Sequence, residues 1–137
     1  MKINILGGGI AGLASAIFLS KQGHEVTIVE RNDYINELGA GIQITPNAIR
    51  VLDALGIRND LVNLAEQSTS LSIRRAENSA LLQKVSMHRL VKDKKVGFYH
   101  LHRHKLLNLL KDNAIKNKVK IHKFKIKCLS LQPFWIK

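Results

Sequence analysis

Apolar and polar positions in the first thirty residues follow the pattern of a strand, a helix and a second strand. Residues 3–6 form a short apolar run that ends at glycines, as a buried parallel strand does before a tight turn. Apolar and small residues then recur three and four positions apart over residues 13–20, and Gly23 is placed to end that helix. Residues 26–29 are mostly β-branched. The pattern predicts a βαβ unit.

The next segment predicts a loop followed by a second helix. Residues 31–45 contain Gly39 and Gly41 and are expected to form the loop. Thr45 can serve as the N-cap of a helix that starts at Pro46, with apolar residues at helical spacing on its inner face. A glycine at position 56 is expected to stop this helix.

The remainder of the chain predicts a β-hairpin, a leucine-rich helix and a further strand. Residues 71–75 and 81–87 are expected to be the two hairpin strands, joined by a polar turn. Leucines cluster over residues 106–110 as a helix requires, and residues 119–121 begin another strand. The elements together predict an α/β fold: a Rossmann-like βαβ core with a parallel sheet, plus a small β insertion.

Residues 7–12, with the sequence GGGIAG, fit the G-x-G-x-x-G pattern between the first strand and the first helix. In that position Gly7 allows the tight turn, Gly9 lets the backbone approach a pyrophosphate, and Gly12 permits close packing of helix and strand. The N-terminus of the following helix offers N–H donors and a positive dipole end to the anion.

Glu30 ends the second predicted strand, eighteen residues beyond Gly12. A carboxylate there can accept hydrogen bonds from ribose hydroxyls and would repel a 2′-phosphate, which disfavours NADP as the ligand of this loop. The alternative is a glycine-rich turn of purely structural use, with Glu30 solvated.

These residues carry a family resemblance. The GGGIAG loop with Leu13, Ala16, Gly23 and Glu30-Arg31 resembles the first βαβ unit of FAD-dependent aromatic-ring hydroxylases of the salicylate hydroxylase type. Residues 39–48 (GAGIQITPNA) are similar to the flavin-side loop of that family, and residues 102–107 (HRHKLL) are similar to its R-x-x-L helix. The resemblance implies an FAD-binding core.

The resemblance also implies where FAD binds. Glu30 would hold the adenosine ribose, Arg31 would lie beside the adenine end, and Arg103 would help to neutralise the diphosphate. The alternative for Arg103 is an ordinary surface arginine. The implied cofactor-binding residues are Gly7, Gly9, Ile10, Ala11, Gly12, Glu30, Arg31, Gly41 and Arg103.

The implied reaction is hydroxylation of an aromatic or similar small-molecule substrate. In this family NAD(P)H serves as the transient reductant of FAD, and a flavin hydroperoxide transfers the hydroxyl group. Protein side chains mainly position and shield such a cofactor. The sequence assigns no catalytic residue, because it contains neither a Ser/His/Asp triad nor a carboxylate pair.

The resemblance predicts an incomplete domain. Residues 1–127 are expected to be a truncated FAD-binding domain, with a partial substrate-domain β insertion at about 68–100, and residues 128–137 an atypical terminus. The second FAD motif of Gly-Asp type is missing. Exposed sheet edges predict possible self-association. A non-catalytic or degenerate nucleotide-binding fragment therefore stays open as the alternative.

The charge of +12 and the pI of about 10.2 raise the question of nucleic acid. Residues 1–83 carry 7 Lys and Arg against 8 Asp and Glu, whereas residues 84–137 carry 15 against 2. The basic stripe toward the C-terminus has almost no aromatic residues for base stacking, so a solvated face is favoured and no specific nucleic acid is expected.

The remaining signals concern compartment and metal. Cys128 is the only cysteine, which excludes an intrachain disulfide and suits a reducing cytoplasm. Four glycines within residues 7–12 argue against a signal peptide, and no membrane span is expected. His100, His102 and His104 would share one face of an extended segment, but no carboxylate lies near them in sequence, so no metal site is expected.

Overall fold

A computed structural model describes residues 1–31, 40–91 and 96–123. Its elements are β1 (Lys2–Leu6), α1 (Ile10–Lys21), β2 (Glu25–Glu30), β3 (Gly41–Ile44), α2 (Pro46–Ala54), α3 (Arg58–Leu64), β4 (Glu66–Gln67), β5 (Ser70–Arg74), β6 (Leu81–Ser86), α4 (Met87–Leu90), β7 (Tyr99–His102), α5 (Arg103–Lys116) and β8 (Lys120–Lys123). The described residues form three sheets: a parallel sheet in the order β1-β2-β8, an antiparallel sheet in the order β3-β7-β4, and the two-stranded hairpin β5-β6. This arrangement confirms the predicted α/β class.

The main hydrophobic core contains residues of the parallel sheet, α1 and α5, together with residues of α2, α3, β3 and β7. Leu13 and Ile17 of α1, Ile28 of β2 and Leu110 of α5 are fully buried in one continuous cluster. Their spacing explains the elements, since residues four apart on a helix and two apart on a strand face the same side. Burying a side chain of this size stabilises the fold by about 1.5–3 kcal/mol.

Helices α1 and α5 run parallel to each other and antiparallel to the strands that follow them. Strands β2 and β8 are parallel, and each of the two helices leads into its strand through a short turn. At the C-terminal ends of the helices, the Ser20 hydroxyl donates a hydrogen bond of 2.5 Å to the carbonyl oxygen of Asn117. Their N-termini therefore lie at the same edge, which is the carboxyl edge of the parallel sheet.

Helix α2 begins and ends where the sequence predicts. Thr45 occupies the N-cap position and Pro46 the first turn, although the Thr45 side chain makes no capping hydrogen bond. Gly56 takes φ +74 immediately after the helix, a left-handed conformation that glycine adopts without strain. The Lys21 ammonium donates to the carbonyl oxygen of Leu55, which ties the end of α2 to the end of α1.

Several predictions made from local sequence were wrong or incomplete, in part because strands pair across long sequence distances. The predicted loop 31–45 contains strand β3, because residues 41–44 pair with β7 across a wide sequence gap. The sequence reasoning missed α3, α4, β4 and β7, which are short and whose residues lack a clear local period. The predicted hairpin is present, but β6 ends at Ser86 and position 87 begins α4.

Some predictions fall on residues that the structure does not describe. These are Gly39 and the segment 128–137 with Cys128. The domain boundary at 127 and the assignment of residues 68–100 to a substrate domain therefore stay predictions. Within the described ranges, no helix is both long enough and apolar enough to span a bilayer.

Candidate nucleotide-binding site

The glycine loop between β1 and α1 has the conformation that the motif requires. Gly7 adopts φ +102, and its N–H donates a 2.8 Å hydrogen bond to the carbonyl oxygen of Val29. A Cβ atom on Gly12 would lie 2.0 Å from the Gly7 carbonyl oxygen, closer than any real contact. Because this oxygen belongs to the backbone, it cannot move away by a side-chain rotation. Gly12 thus sets how closely the helix passes the turn.

Gly9 leaves the start of α1 accessible. It is the N-cap residue, with φ −71 and ψ −176, and a Cβ built on it meets no heavy atom within 4 Å. Ile10 and Ala11 follow as the first helical residues. The first N–H groups of a helix lack intrahelical acceptors and carry the positive end of its dipole. The loop therefore presents backbone donors to open space.

Glu30 reaches this loop directly. The Gly8 N–H donates a 2.6 Å hydrogen bond to Glu30 Oε2, so the carboxylate at the end of β2 contacts the backbone of the glycine loop. Sequence reasoning placed Glu30 near the loop but missed this contact, because the residue between the first two motif glycines carries no signal of its own. Arg31 follows Glu30 and is exposed.

Arg103 begins helix α5 at the same edge of the sheet. Helices α1 and α5 contain 12 and 14 residues and contact each other at their C-terminal ends. Because their lengths differ by less than one helical turn, their first residues lie at a similar height along the two helix axes. The Arg103 backbone N–H donates to the carbonyl oxygen of Ala40 at 2.9 Å, and its side chain is half-buried. Arg103 is therefore the first residue of a helix whose N-terminus lies at the same sheet edge as the glycine loop.

Gly41 is brought to Arg103 by the second sheet. It pairs with His102, the N-cap of α5, in the antiparallel register of β3 and β7. The structure thus groups the predicted residues into two sets that share the carboxyl edge: the loop with Glu30 and Arg31, and the pair Gly41 and Arg103.

Lys123 was not predicted for this edge. It is the β8 partner of Glu30 in the parallel register, so an ammonium-bearing residue stands beside the carboxylate at the ends of adjacent strands. The only apolar residue of this strand is Ile121, two positions from Lys123, so no sequence alternation indicates this neighbour.

The three histidines do not form a metal centre within the described ranges, where no group of at least three His, Cys, Asp or Glu side chains could hold a metal ion. His100 and His102 are exposed in β7, and His104 lies in the first turn of α5. The His102 and His104 rings stack with centroids 5.4 Å apart. This contact belongs to the start of α5.

Comparison with known proteins identifies similar chains. A model of the FAD binding domain family matches residues 1–130. FAD-dependent monooxygenase OpS4 of Beauveria bassiana (strain ARSEF 2860) is 40% identical over 80 residues, covering 58% of this chain and 19% of the relative. The 3-hydroxybenzoate 6-hydroxylase of Klebsiella oxytoca is 49% identical over 57 residues, covering 42% of this chain and 14% of the relative.

A solved structure shares the fold. The p-nitrophenol 4-monooxygenase PnpA from Pseudomonas putida DLL-E4 superposes with a TM-score of 0.81 at 23% identity, covering 89% of this chain and 32% of that chain. The chain spans about a fifth of the length of the Beauveria bassiana monooxygenase and about a third of the length of PnpA.

Proposed function

Because this chain belongs to the FAD-binding domain family that includes FAD-dependent monooxygenases and hydroxylases, we propose that its carboxyl-edge site binds FAD through the ADP half. The observation that carries the proposal is the convergence of three features at one edge of the sheet. They are the glycine loop, the Glu30 carboxylate and the N-terminus of the Arg103 helix. Open parallel sheets bind ligands at this edge.

The pyrophosphate would lie against the glycine loop. Gly7 and Gly12 hold the turn close to α1, and the open space at Gly9 admits phosphate oxygens close to the backbone. Ile10 and Ala11 supply N–H groups from the first helical turn. The loop lies at a positive helix end, so a dianion would gain both hydrogen bonds and a favourable dipole.

Glu30 would accept hydrogen bonds from the adenosine ribose, and Arg31 would lie beside the adenine end. A carboxylate has two oxygens, so its contact with Gly8 is compatible with a second contact to a hydroxyl group. Its negative charge would disfavour a 2′-phosphate. These roles support FAD over NADP as the ligand of the loop.

Arg103 would pair with the diphosphate from the second helix. A guanidinium suits this task because its forked donors match two phosphate oxygens. Gly41, held opposite His102, would place the β3 backbone on the flavin side of the site.

The activity proposed for the whole protein is NAD(P)H- and O₂-dependent hydroxylation of a small aromatic or similar substrate, for which bound FAD supplies the redox chemistry. The named substrates of relatives, such as 3-hydroxybenzoate, support this substrate class. The described residues bind and orient the cofactor. The second candidate is nucleotide binding without turnover, which needs only the glycine loop and the Glu30 carboxylate. For both candidates a cytoplasmic setting stays our expectation.

Titration of the purified chain with FAD tests the proposal, with flavin fluorescence and thermal shift as readouts. We expect saturable binding that ADP competes for, and that NADP and a nucleic-acid oligomer compete for poorly. A folded chain that binds no FAD would contradict the proposal. Binding without NAD(P)H oxidation, in the presence of small phenols, would favour the second candidate.

A further inference from the structure

Strand β2 holds the glycine loop by two consecutive hydrogen bonds. The Val29 carbonyl oxygen accepts from the Gly7 N–H at 2.8 Å, and the Glu30 carboxylate accepts from the Gly8 N–H at 2.6 Å. The first bond is backbone to backbone and is independent of residue type. The second depends on the Glu30 side chain and is charge-assisted, which makes it the stronger kind.

We propose that Glu30 is a positioning residue that orders the phosphate-binding loop before any cofactor arrives. This role is separate from the contact with ribose, although its consequence for binding rests on the proposed function. Gly8 is buried between two glycines, where the chain has the most conformational freedom to lose. A side chain that fixes its N–H removes part of that freedom in advance.

The position of Gly8 gives this hydrogen bond leverage over the phosphate site. Gly7 makes the turn at φ +102, and Gly9 is the N-cap of α1, so fixing the amide between them sets the path into the helix. Preorganised binding groups cost less ordering entropy when the ligand binds. Glu30 thus increases affinity for the pyrophosphate, which it does not itself touch.

A ligand without ribose separates the two roles. We would measure binding of inorganic pyrophosphate to the wild-type chain, Glu30→Ala and Glu30→Gln by calorimetry. Both substitutions remove the negative charge, but only glutamine keeps an oxygen that can accept from the Gly8 N–H. We expect Glu30→Ala to bind pyrophosphate roughly tenfold more weakly than Glu30→Gln, the effect of one hydrogen bond.

Hydrogen exchange of the Gly8 amide gives a second readout that needs no ligand. We expect faster exchange in Glu30→Ala than in Glu30→Gln, with thermal unfolding used to confirm that both are folded. Glu30→Met replaces Glu30→Ala if the alanine variant does not fold, because methionine keeps the length and lacks the oxygen. The pair Glu25→Ala and Glu25→Gln, at the other end of β2, should show no such difference.

Equal pyrophosphate affinity together with equal Gly8 exchange in the two Glu30 variants would overturn the proposal. Failure of the proposed function is distinguishable, since a chain that binds neither FAD nor pyrophosphate still reports on Glu30 through amide exchange. In that case faster exchange in the alanine variant supports positioning, and equal exchange rejects it.

Discussion

The nucleotide-binding unit and the β5-β6 hairpin contrast sharply in burial. In the unit formed by β1, α1, β2, α5 and β8, side chains such as Leu13 and Leu110 are wholly buried. Every residue of β5 is exposed, and Leu71 and Ile73 keep 50% and 44% of their accessible surface. Both regions are rich in apolar residues, so composition does not distinguish them. What distinguishes them is whether a second layer covers the apolar face.

The hairpin nonetheless has the pattern of a sheet with one face meant for burial. Leu71 pairs with Val85, and Ile73 lies two residues along on the same face, while Ser72 pairs with Lys84 on the other. An isolated two-stranded hairpin is marginally stable in water. We therefore expect the site to depend on the nucleotide-binding unit and to be insensitive to the hairpin.

The largest expected effect comes from Gly12→Ala in the nucleotide-binding unit. The new methyl group would lie 2.0 Å from the Gly7 carbonyl oxygen, so β1 and α1 must separate. We expect a loss of about 4 kcal/mol or more in the free energy of unfolding, which is most of the stability of a domain at the low end of the usual range of about 5–15 kcal/mol. Chemical denaturation and circular dichroism measure this.

Gly9→Ala is the matched control for that substitution. Its methyl group meets no atom within 4 Å and its φ of −71 suits any residue, so stability should change by about 1 kcal/mol at most. FAD affinity should nevertheless fall, because the methyl group occupies the approach to the backbone. Equal destabilisation by the two alanines would contradict the packing role given to Gly12.

A pair of identical substitutions then compares the two regions directly. Leu110→Ala removes a side chain with no exposed surface and should cost about 2–5 kcal/mol in the free energy of unfolding. Leu71→Ala removes a half-exposed side chain from the hairpin and should cost about 0.5 kcal/mol or less. Urea denaturation of both variants gives the comparison.

The outcome for Leu71 also bears on self-association. If Leu71→Ala costs as much as Leu110→Ala, the hairpin face is covered in solution. Sedimentation at increasing concentration would then show whether a second copy covers it. A monomer with a large Leu71 effect would contradict the exposure of β5.

The same contrast explains how far the sequence could predict the fold. The residues of β1, α1, β2 and α2 follow regular periods, and a glycine follows β1, α1 and α2, so local physics determines these elements. Strands β3 and β7 depend on each other, since residues 41–44 become a strand only by pairing with residues 99–102. Sequence periodicity cannot reveal a partner almost sixty residues away.

The candidate site divides in a similar way. Gly7, Gly12 and Glu30 belong to one continuous motif, and their placement around the turn follows from its spacing. Arg103 came from the family resemblance alone, because helix packing rather than sequence brings α5 beside α1. The Glu30–Gly8 contact and the neighbouring Lys123 could not be predicted, since both depend on how strands align in three dimensions.

Arg103→Ala should have the next largest effect, on affinity rather than stability. Under the proposed pairing of Arg103 with the diphosphate, loss of the guanidinium should weaken FAD binding by roughly tenfold to a hundredfold, the range for hydrogen bonds to charged groups. Arg103→Lys should recover only part of the loss, because an ammonium lacks the forked geometry. Fluorescence titration measures each dissociation constant.

Arg50→Ala is the control for the Arg103 variants. Arg50 is an exposed arginine of α2 whose guanidinium lies 3.4 Å from the Asn47 side-chain oxygen, away from the glycine loop in sequence. Its removal should leave the FAD dissociation constant unchanged. A similar loss in both variants would mean that net charge, rather than position, governs the binding.

The smallest expected effect concerns the pH dependence of the nucleotide-binding unit. The Lys120 ammonium of β8 donates to Glu25 Oε1 of β2 at 2.8 Å, and this hydrogen bond, aided by the charges of Lys120 and Lys2, lowers the pKa of Glu25 below its ordinary value of 4.5. A lowered pKa in the folded state means that the pair stabilises the fold above pH 4.5 and that the stabilisation is lost as pH falls through the folded pKa. Both side chains are about half exposed, at 59% and 48%, so salt should screen the pair. We expect the wild-type chain to have a slightly higher melting temperature than the Glu25→Gln variant at neutral pH and low salt. This difference in melting temperature should shrink below pH 4.5 and in high salt. A melting difference that stays constant across pH would show that β2 and β8 are joined by backbone pairing and core packing alone.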